Sequence, residues 1–169
     1  MRMRIRERTA NMKDIVVYYS LEGNTKQAAK TIADKLNADI LQIETVKRIP
    51  EGAAKYIVGG VQATFGICSK IIPIDIDFSK YDRIILGTPI WAGKGTPAVK
   101  SFLKDYNAYD KVVALFTCSG GGGNGKCVSQ MKKKLKNLKT IADFVDRREP
   151  LSSENEEKLN RFVDALKDK

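Results

Sequence analysis

Short apolar runs of strand length alternate with amphipathic stretches of helix length along the chain, and this alternation leaves few folds open. Ile15 to Tyr19 is the first such run. From Lys26 to Leu36, Ala28, Ala29, Ile32, Ala33 and Leu36 recur at three and four residues, which gives a helix one apolar face. Further runs of strand character lie at Asp39 to Glu44, Arg83 to Gly87, Lys111 to Thr117 and Thr140 to Val145. Helical patterns begin at Pro97, with Val99, Phe102 and Leu103 inward, and at Lys126, running to Leu138 with Val128, Met131 and Leu135 on one side. A last one opens at Ser152 and reaches Leu166. Ala53 to Phe65 is read as helical despite Gly59 and Gly60, each of which costs about 1 kcal/mol relative to alanine. Ile71 to Phe78 is read as extended around Pro73. Five strands separated by helices imply a parallel sheet, because each crossover must carry the chain back over one face. The expected class is therefore α/β, a doubly wound sheet between two helical layers.

Length, charge and cysteine usage narrow what such a sheet can do. At 169 residues the chain suits one domain, expected over 13–169, behind a loose tail at 1–12 in which Met3 and Met12 are alternative starts. Arg2, Arg4, Arg6 and Arg8 are not followed by a signal-peptide apolar segment, and the longest apolar runs, such as Val112 to Phe116, are too short to span a bilayer. Membrane insertion is not expected. Cys68, Cys118 and Cys127 form no C-x-x-C pair and the chain has no histidine, which argues against structural zinc and a disulfide framework and removes Ser-His and Cys-His hydrolase mechanisms. A reducing cytoplasm is the expected location. The net charge is +10, and Lys126, Lys132, Lys133, Lys134, Lys136 and Lys139 form a block with no acid between them. Such a block is either a solvated helix face or a surface for acidic partners and anionic substrates. Nucleic acid is not expected, since no recognised module or aromatic-interleaved basic groove is present.

Ligands of doubly wound sheets sit beyond the carboxyl ends of the strands, and three loops there carry chemistry. Ser20-Leu21-Glu22-Gly23-Asn24-Thr25 lies between a strand and a helix. It is either a phosphate cradle of helix N-terminal amides, with Ser20, Asn24 and Thr25 as side-chain donors, or a plain helix cap. Thr88-Pro89-Ile90-Trp91-Ala92-Gly93-Lys94-Gly95-Thr96 holds the only tryptophan, which is either a lid on the core or a stacking plate for a planar ligand. Thr117-Cys118-Ser119-Gly120-Gly121-Gly122-Gly123-Asn124-Gly125 offers backbone amides with almost no side-chain bulk, suited to a flat, hydrogen-bonding edge. Gly120 to Cys127 also reads G-x-x-x-x-G-K-C, one residue from a nucleotide-hydrolase phosphate loop. Cys127 stands where that loop needs a magnesium-binding hydroxyl, which argues against it.

Taken together and in order, Tyr18 to Thr25, Gly87-Thr88-Pro89-Ile90-Trp91-Ala92-Gly93 and Thr117-Cys118-Ser119-Gly120-Gly121 resemble the motifs of the flavodoxin family over about residues 13–167. The resemblance implies strand order 2-1-3-4-5, bound FMN and an electron-transfer role, with redox partner proteins or small electron acceptors; the positive charge of this chain favours acidic ones. It implies that Ser20, Leu21, Glu22, Gly23, Asn24 and Thr25 surround the FMN phosphate. Trp91, Pro89 and Ile90 would pack on the isoalloxazine, beside Thr88, with Ala92 and Gly93 at its N5 edge. Ser119, Gly120, Gly121 and Gly122 would meet the pyrimidine edge, beside Thr117 and Cys118. Cys118 reads as a packed thiol rather than a redox one. The third loop lacks the tyrosine that many flavodoxins stack on the ring, and this chain is basic where family members are commonly acidic. Two other functions stay open: an FMN-dependent NAD(P)H:quinone-type oxidoreductase, and a basic binding module without flavin. Lys94 and Lys126, near the flavin, would make its reduced form easier to reach.

Overall fold

The structure is a computed structural model that describes residues 12–47, 68–121, 123–145 and 153–168. The tail at 1–11 and the helix expected at 53–65 lie outside the described residues. In chain order the elements are β1 (Asp14–Tyr18), α1 (Asn24–Leu36), β2 (Asp39–Gln42), β3 (Arg83–Trp91), β4 (Lys94–Gly95), α2 (Pro97–Asp105), β5 (Val112–Ser119), α3 (Gly125–Lys132), β6 (Thr140–Val145) and α4 (Ser153–Lys167). The long strands form one parallel sheet in the order β2-β1-β3-β5-β6, and β4 pairs with β3 alone, antiparallel. With the small β4 set aside, this is the expected order 2-1-3-4-5.

Every residue of β1 is buried, which explains why the run is apolar without alternation: both faces of the sheet are covered. Successive side chains point to opposite faces. Ile15, Val17, Ile84, Leu86 and Leu115 pack on one face with Val99, Phe102 and Leu103 of α2. Val16, Ile85, Ala114, Phe116 and Phe144 pack on the other with Ala29 and Ile32 of α1 and Leu159, Phe162 and Val163 of α4. The helices thus form the two outer layers. Among the described residues no helix is long and apolar enough to cross a membrane.

Ionic and polar contacts hold the edge of the sheet opposite the ligand rim. Arg83 donates from Nε and an Nη to both carboxylate oxygens of Asp14 at 2.8 and 2.6 Å, and from its other Nη to the Leu166 carbonyl at 2.9 Å. Tyr81 donates to Asp39 at 2.6 Å, which pushes its phenol up to about 12. The segment before β3 is tied down rather than simply extended. Ile71 bridges Thr45, the Ile74 N–H donates to the Tyr106 oxygen at 2.6 Å, and the Lys111 ammonium donates to the carbonyls of Phe78 and Tyr81, both at 2.7 Å.

Two elements of the sheet and its helices depart in extent from the sequence reading. β3 does not stop at Gly87 but runs on through the motif to Trp91. The lysine-rich helix ends at Lys132 rather than Leu138, and its inward side chain in the first turn is Cys127, 1% exposed, rather than Val128. Lys132, Lys133, Lys134 and Lys136 crowd like charge around the helix end, which disfavours further helix. The chain instead closes in turns, with the Leu135 N–H donating to Met131 and Asn137 donating to the Asp110 carbonyl at 2.7 Å.

Candidate functional site

The carboxyl ends of β1, β3 and β5 lie side by side, since Tyr18 pairs with Gly87, Thr88 with Thr117 and Pro89 with Cys118. The chain leaving β1 stays bound to this edge, the Tyr19 N–H donating to the Gly87 carbonyl at 3.2 Å. It then turns through 20–25. Gly23 adopts φ +102°, a left-handed conformation that favours glycine, and its N–H donates to Ser20 Oγ at 3.1 Å. A Cβ on Gly23 would meet nothing within 4 Å, so the turn faces open space. α1 begins immediately after without a side-chain cap, and its positive end therefore points into the turn. Thr25 is buried, Leu21 and Glu22 are exposed, and Ser20, Gly23 and Asn24 are half-buried. The Glu22 carboxylate would repel an anion, so this position can serve one only through its backbone N–H.

The second stretch is a β-hairpin, where the sequence reading has an open loop. Ile90 pairs with Gly95 and Trp91 with Lys94 across the two-residue turn Ala92-Gly93. Both turn residues have positive φ, +49° and +74°, as the tight hairpin turn matched to strand twist requires. Ala92 holds this conformation without glycine's freedom and is exposed at the tip. Thr88 anchors the base. It is buried, and its Oγ1 accepts from the Thr96 N–H at 3.1 Å and lies 3.3 Å from Thr96 Oγ1. The Trp91 ring packs edge-on against Tyr19, with ring centroids 5.8 Å apart and planes at 87°. The indole is thereby tied to the residue that leaves β1, and Trp91 as a whole is half-buried. Burial pushes the Tyr19 phenol up, partly offset by its hydrogen bond with Thr45.

The third loop leaves β5 through Ser119. Thr117 and Cys118 are buried beneath it, and Ser119, Gly120 and Gly121 rise to the rim. Gly122 lies outside the described residues. Gly121 and Gly123 have positive φ, +125° and +29°, and a Cβ on Gly123 would meet nothing. Asn124 Nδ2 donates to Thr117 Oγ1 at 3.2 Å and closes the loop onto its own strand. α3 then packs on the hairpin. A Cβ on Gly95 would lie 3.0 Å from Met131 Cε and 3.5 Å from Cys127 Sγ, and one on Gly93 3.6 Å from Lys126 Cδ. The Cys127 position, where a nucleotide-hydrolase loop would place its hydroxyl, therefore faces the hairpin base. Burial pushes its thiol up to about 11, against the opposing hydrogen bond with the Gly95 backbone.

Thr88, Thr117 and Cys118 thus lie beneath the rim, where they position the backbone above them. Ser20, Gly23, Asn24, Ile90, Trp91, Ala92, Gly93 and Ser119 to Gly121 surround its opening. Tyr19, Thr96 and Lys126 also shape the rim, although the sequence reading assigns Tyr19 and Thr96 no part in holding a ligand. The apolar character of Tyr19 hid it as strand core, and only the edge-on contact reveals it. Among the described residues no cluster of three or more His, Cys, Asp or Glu could hold a metal ion. The rim therefore combines a helix N-terminus, an aromatic plate and an amide-rich loop, a combination suited to a ligand with an anionic end and a flat, polar head.

An open parallel sheet with such a ligand rim defines the doubly wound class of α/β binding proteins. A family model described as Flavodoxin matches residues 65–164, and the chain belongs to the flavodoxin family. Among curated proteins it is similar to the flavodoxin-like domain-containing protein BilS of Clostridioides difficile (strain CD3), 27% identical over 127 residues, 75% of this chain. The match takes in 58% of that relative's length. Among solved structures it resembles a flavoprotein in complex with FMN from Lactobacillus acidophilus NCFM, with TM-score 0.69 and 20% identity over 90% of this chain and 99% of the other. It also resembles oxidised flavodoxin 2 from Bacillus cereus, with TM-score 0.58 and 20% identity over 92% and 98% of the two chains. Identities at this level carry the fold.

Proposed function

We propose that this chain binds FMN and serves electron transfer. The observation that carries the reading is the edge-on packing of Trp91 against Tyr19, which fixes the hairpin beside the turn that opens α1. An aromatic plate and an uncapped helix N-terminus on one rim match the two ends of a flavin nucleotide. When bound, the isoalloxazine takes up and releases electrons; the protein supplies orientation and electrostatics.

The residues present fit this group. Backbone N–H groups of the 22–25 turn would hold the phosphate, with Gly23 leaving open space for its approach. Trp91 would cover the ring while Tyr19 holds the indole at its angle, and Ala92 and Gly93 would line the ring's edge. Ser119, Gly120 and Gly121 would offer amides to the pyrimidine end. The family membership and the FMN named for the Lactobacillus acidophilus flavoprotein support the same reading. Cytoplasmic location stays part of the proposal, supported by three cysteines with no disulfide among them.

The test is direct. Titration of the purified protein with FMN should saturate at one flavin per chain and quench the indole emission, which comes from Trp91 alone. Absence of both flavin uptake and quenching would overturn the assignment. With flavin bound, rapid NAD(P)H consumption in the presence of a quinone would move the reading from carrier to oxidoreductase.

A further inference from the structure

We propose that the lysine face beginning at Lys126 and continuing through Lys132, Lys133 and Lys136 is the docking surface for an acidic electron-transfer protein. The inference rests on the flavin reading and adds a partner to it. Packing fixes which way the lysines point. Cys127 and Leu135 are 1% and 2% exposed, and Met131 lies against Gly95, so positions four residues apart on this helical path are committed to the core. Lys126, Lys132, Lys133, Lys134 and Lys136 are left exposed.

Charge pairing differs sharply from one helix to the next. On α4, Lys158 is paired with Glu154 and Asp143, and Arg161 with Glu157. Among the described residues, none of Lys126, Lys132, Lys133, Lys134, Lys136 and Lys139 takes part in an ion pair. These lysines therefore present a positive field that no ion pair among the described residues offsets. Its position matters as much as its sign. α3 starts where the third loop ends, with the Lys126 stem beside Gly93. The helix runs from the rim toward the start of β5, where Asn137 donates to the Asp110 carbonyl and the Lys139 N–H to the Val113 carbonyl. The lysines thus form a flank that meets the flavin rim at Lys126. A protein that covers this flank reaches the rim at Lys126, beside the hairpin turn. Attraction between such a field and a carboxylate-rich surface steers encounter and weakens with salt. A surface for single-stranded nucleic acid would add aromatic stacking plates to the lysines, and residues 126–139 contain none.

The test uses the FMN-loaded protein and three probes: an acidic plant-type ferredoxin, a basic cytochrome c and a DNA duplex. Binding is read by titration at low and at physiological salt, with visible flavin absorbance recording cofactor occupancy. The ferredoxin should bind about tenfold more weakly at the higher salt, and the cytochrome should not bind. The triple variant Lys132→Glu, Lys133→Glu, Lys136→Glu should lose at least about tenfold in ferredoxin affinity at full flavin occupancy. If that variant fails to fold, the Lys→Gln counterpart should show a smaller loss of the same sign. Unchanged ferredoxin affinity in a folded variant, or equal binding of ferredoxin and cytochrome by the parent, overturns the proposal. So does tighter, lysine-dependent binding of the duplex. Lysine-dependent ferredoxin binding by a chain that takes no FMN would sustain the acidic docking face while refuting the flavin reading.

Discussion

Tyr19 meets Trp91 edge-to-face, with centroids 5.8 Å apart, and this pair joins the residue that leaves β1 to the residue that ends β3. The contact makes the hairpin and the first turn one body. Tyr19→Leu keeps the burial but removes the ring and the Thr45 hydrogen bond. It should cost about 1–2 kcal/mol in urea unfolding and alter Trp91 emission. Tyr19→Phe should restore the emission but not the hydrogen bond.

Gly87 lies opposite Phe116, and a Cβ there would come within 2.2 Å of the ring at Cζ. No rotamer change of a small side chain relieves that overlap, so Gly87→Ala must displace Phe116 or the strands. The expected loss is about 1–3 kcal/mol or more. Combining it with Phe116→Leu should recover part of that loss, and a double-mutant cycle in urea checks the coupling.

At the opposite edge of the sheet, Arg83 and Asp14 form a forked ion pair whose side chains are 15% and 6% exposed. Removing one partner leaves the other charge in poor surroundings, so Arg83→Met should cost about 3 kcal/mol. The double variant with Asp14→Leu should be more stable than Arg83→Met alone, because no stranded charge remains. Flavin affinity of both variants should match the parent, since the pair lies far from the rim.

The Cys127 thiol, pushed up to about 11 from an ordinary 9.0, stays protonated through neutral pH. The folded chain holds this proton more tightly than the unfolded one. The resulting stabilisation is complete below about pH 9 and is lost as pH rises toward 11, a total on the order of 2 kcal/mol. Unfolding of the parent and of Cys127→Ala should therefore differ in their dependence on pH across that interval. In the native protein at neutral pH, a thiol reagent should modify exposed Cys68 rapidly while buried Cys118 and Cys127 stay unmodified.

The sheet was legible because burial on both faces leaves strand runs such as Ile15 to Tyr19 without polar interruption, and because each helix must show one apolar stripe. The hairpin was not, for a local reason. Ala92 occupies the first turn position, where glycine or asparagine would have advertised the positive φ, and β4 is too short to show a period. Pro89 also disguised the continuation of β3, since proline withholds a ladder donor. The inward turn to Cys127 rather than Val128 depends on where the hairpin lies, which no helical pattern contains. Likewise, the Arg83–Asp14 pair joins residues 69 apart and follows from strand register alone. The three loops were readable as chemistry, and Lys126 as a charge near them, but the parts that Tyr19 and Thr96 play came only from packing.

Lys126 offers the last test, of how this chain would tune its cofactor. Its stem lies beside the Gly93 backbone, so its charge belongs to the rim even though the residue is exposed. Reduction adds negative charge to a flavin, and a nearby cation favours that state over the oxidised one. Lys126→Gln should therefore lower the midpoint potential, and Lys126→Glu should lower it about twice as far. The step is on the order of 20 mV for one exposed charge and shrinks as salt is added. Spectroelectrochemical titration of the FMN-loaded variants reads the shift. Potentials that coincide in all three proteins at low salt would show that the ammonium points away from the ring, toward the lysines that follow it.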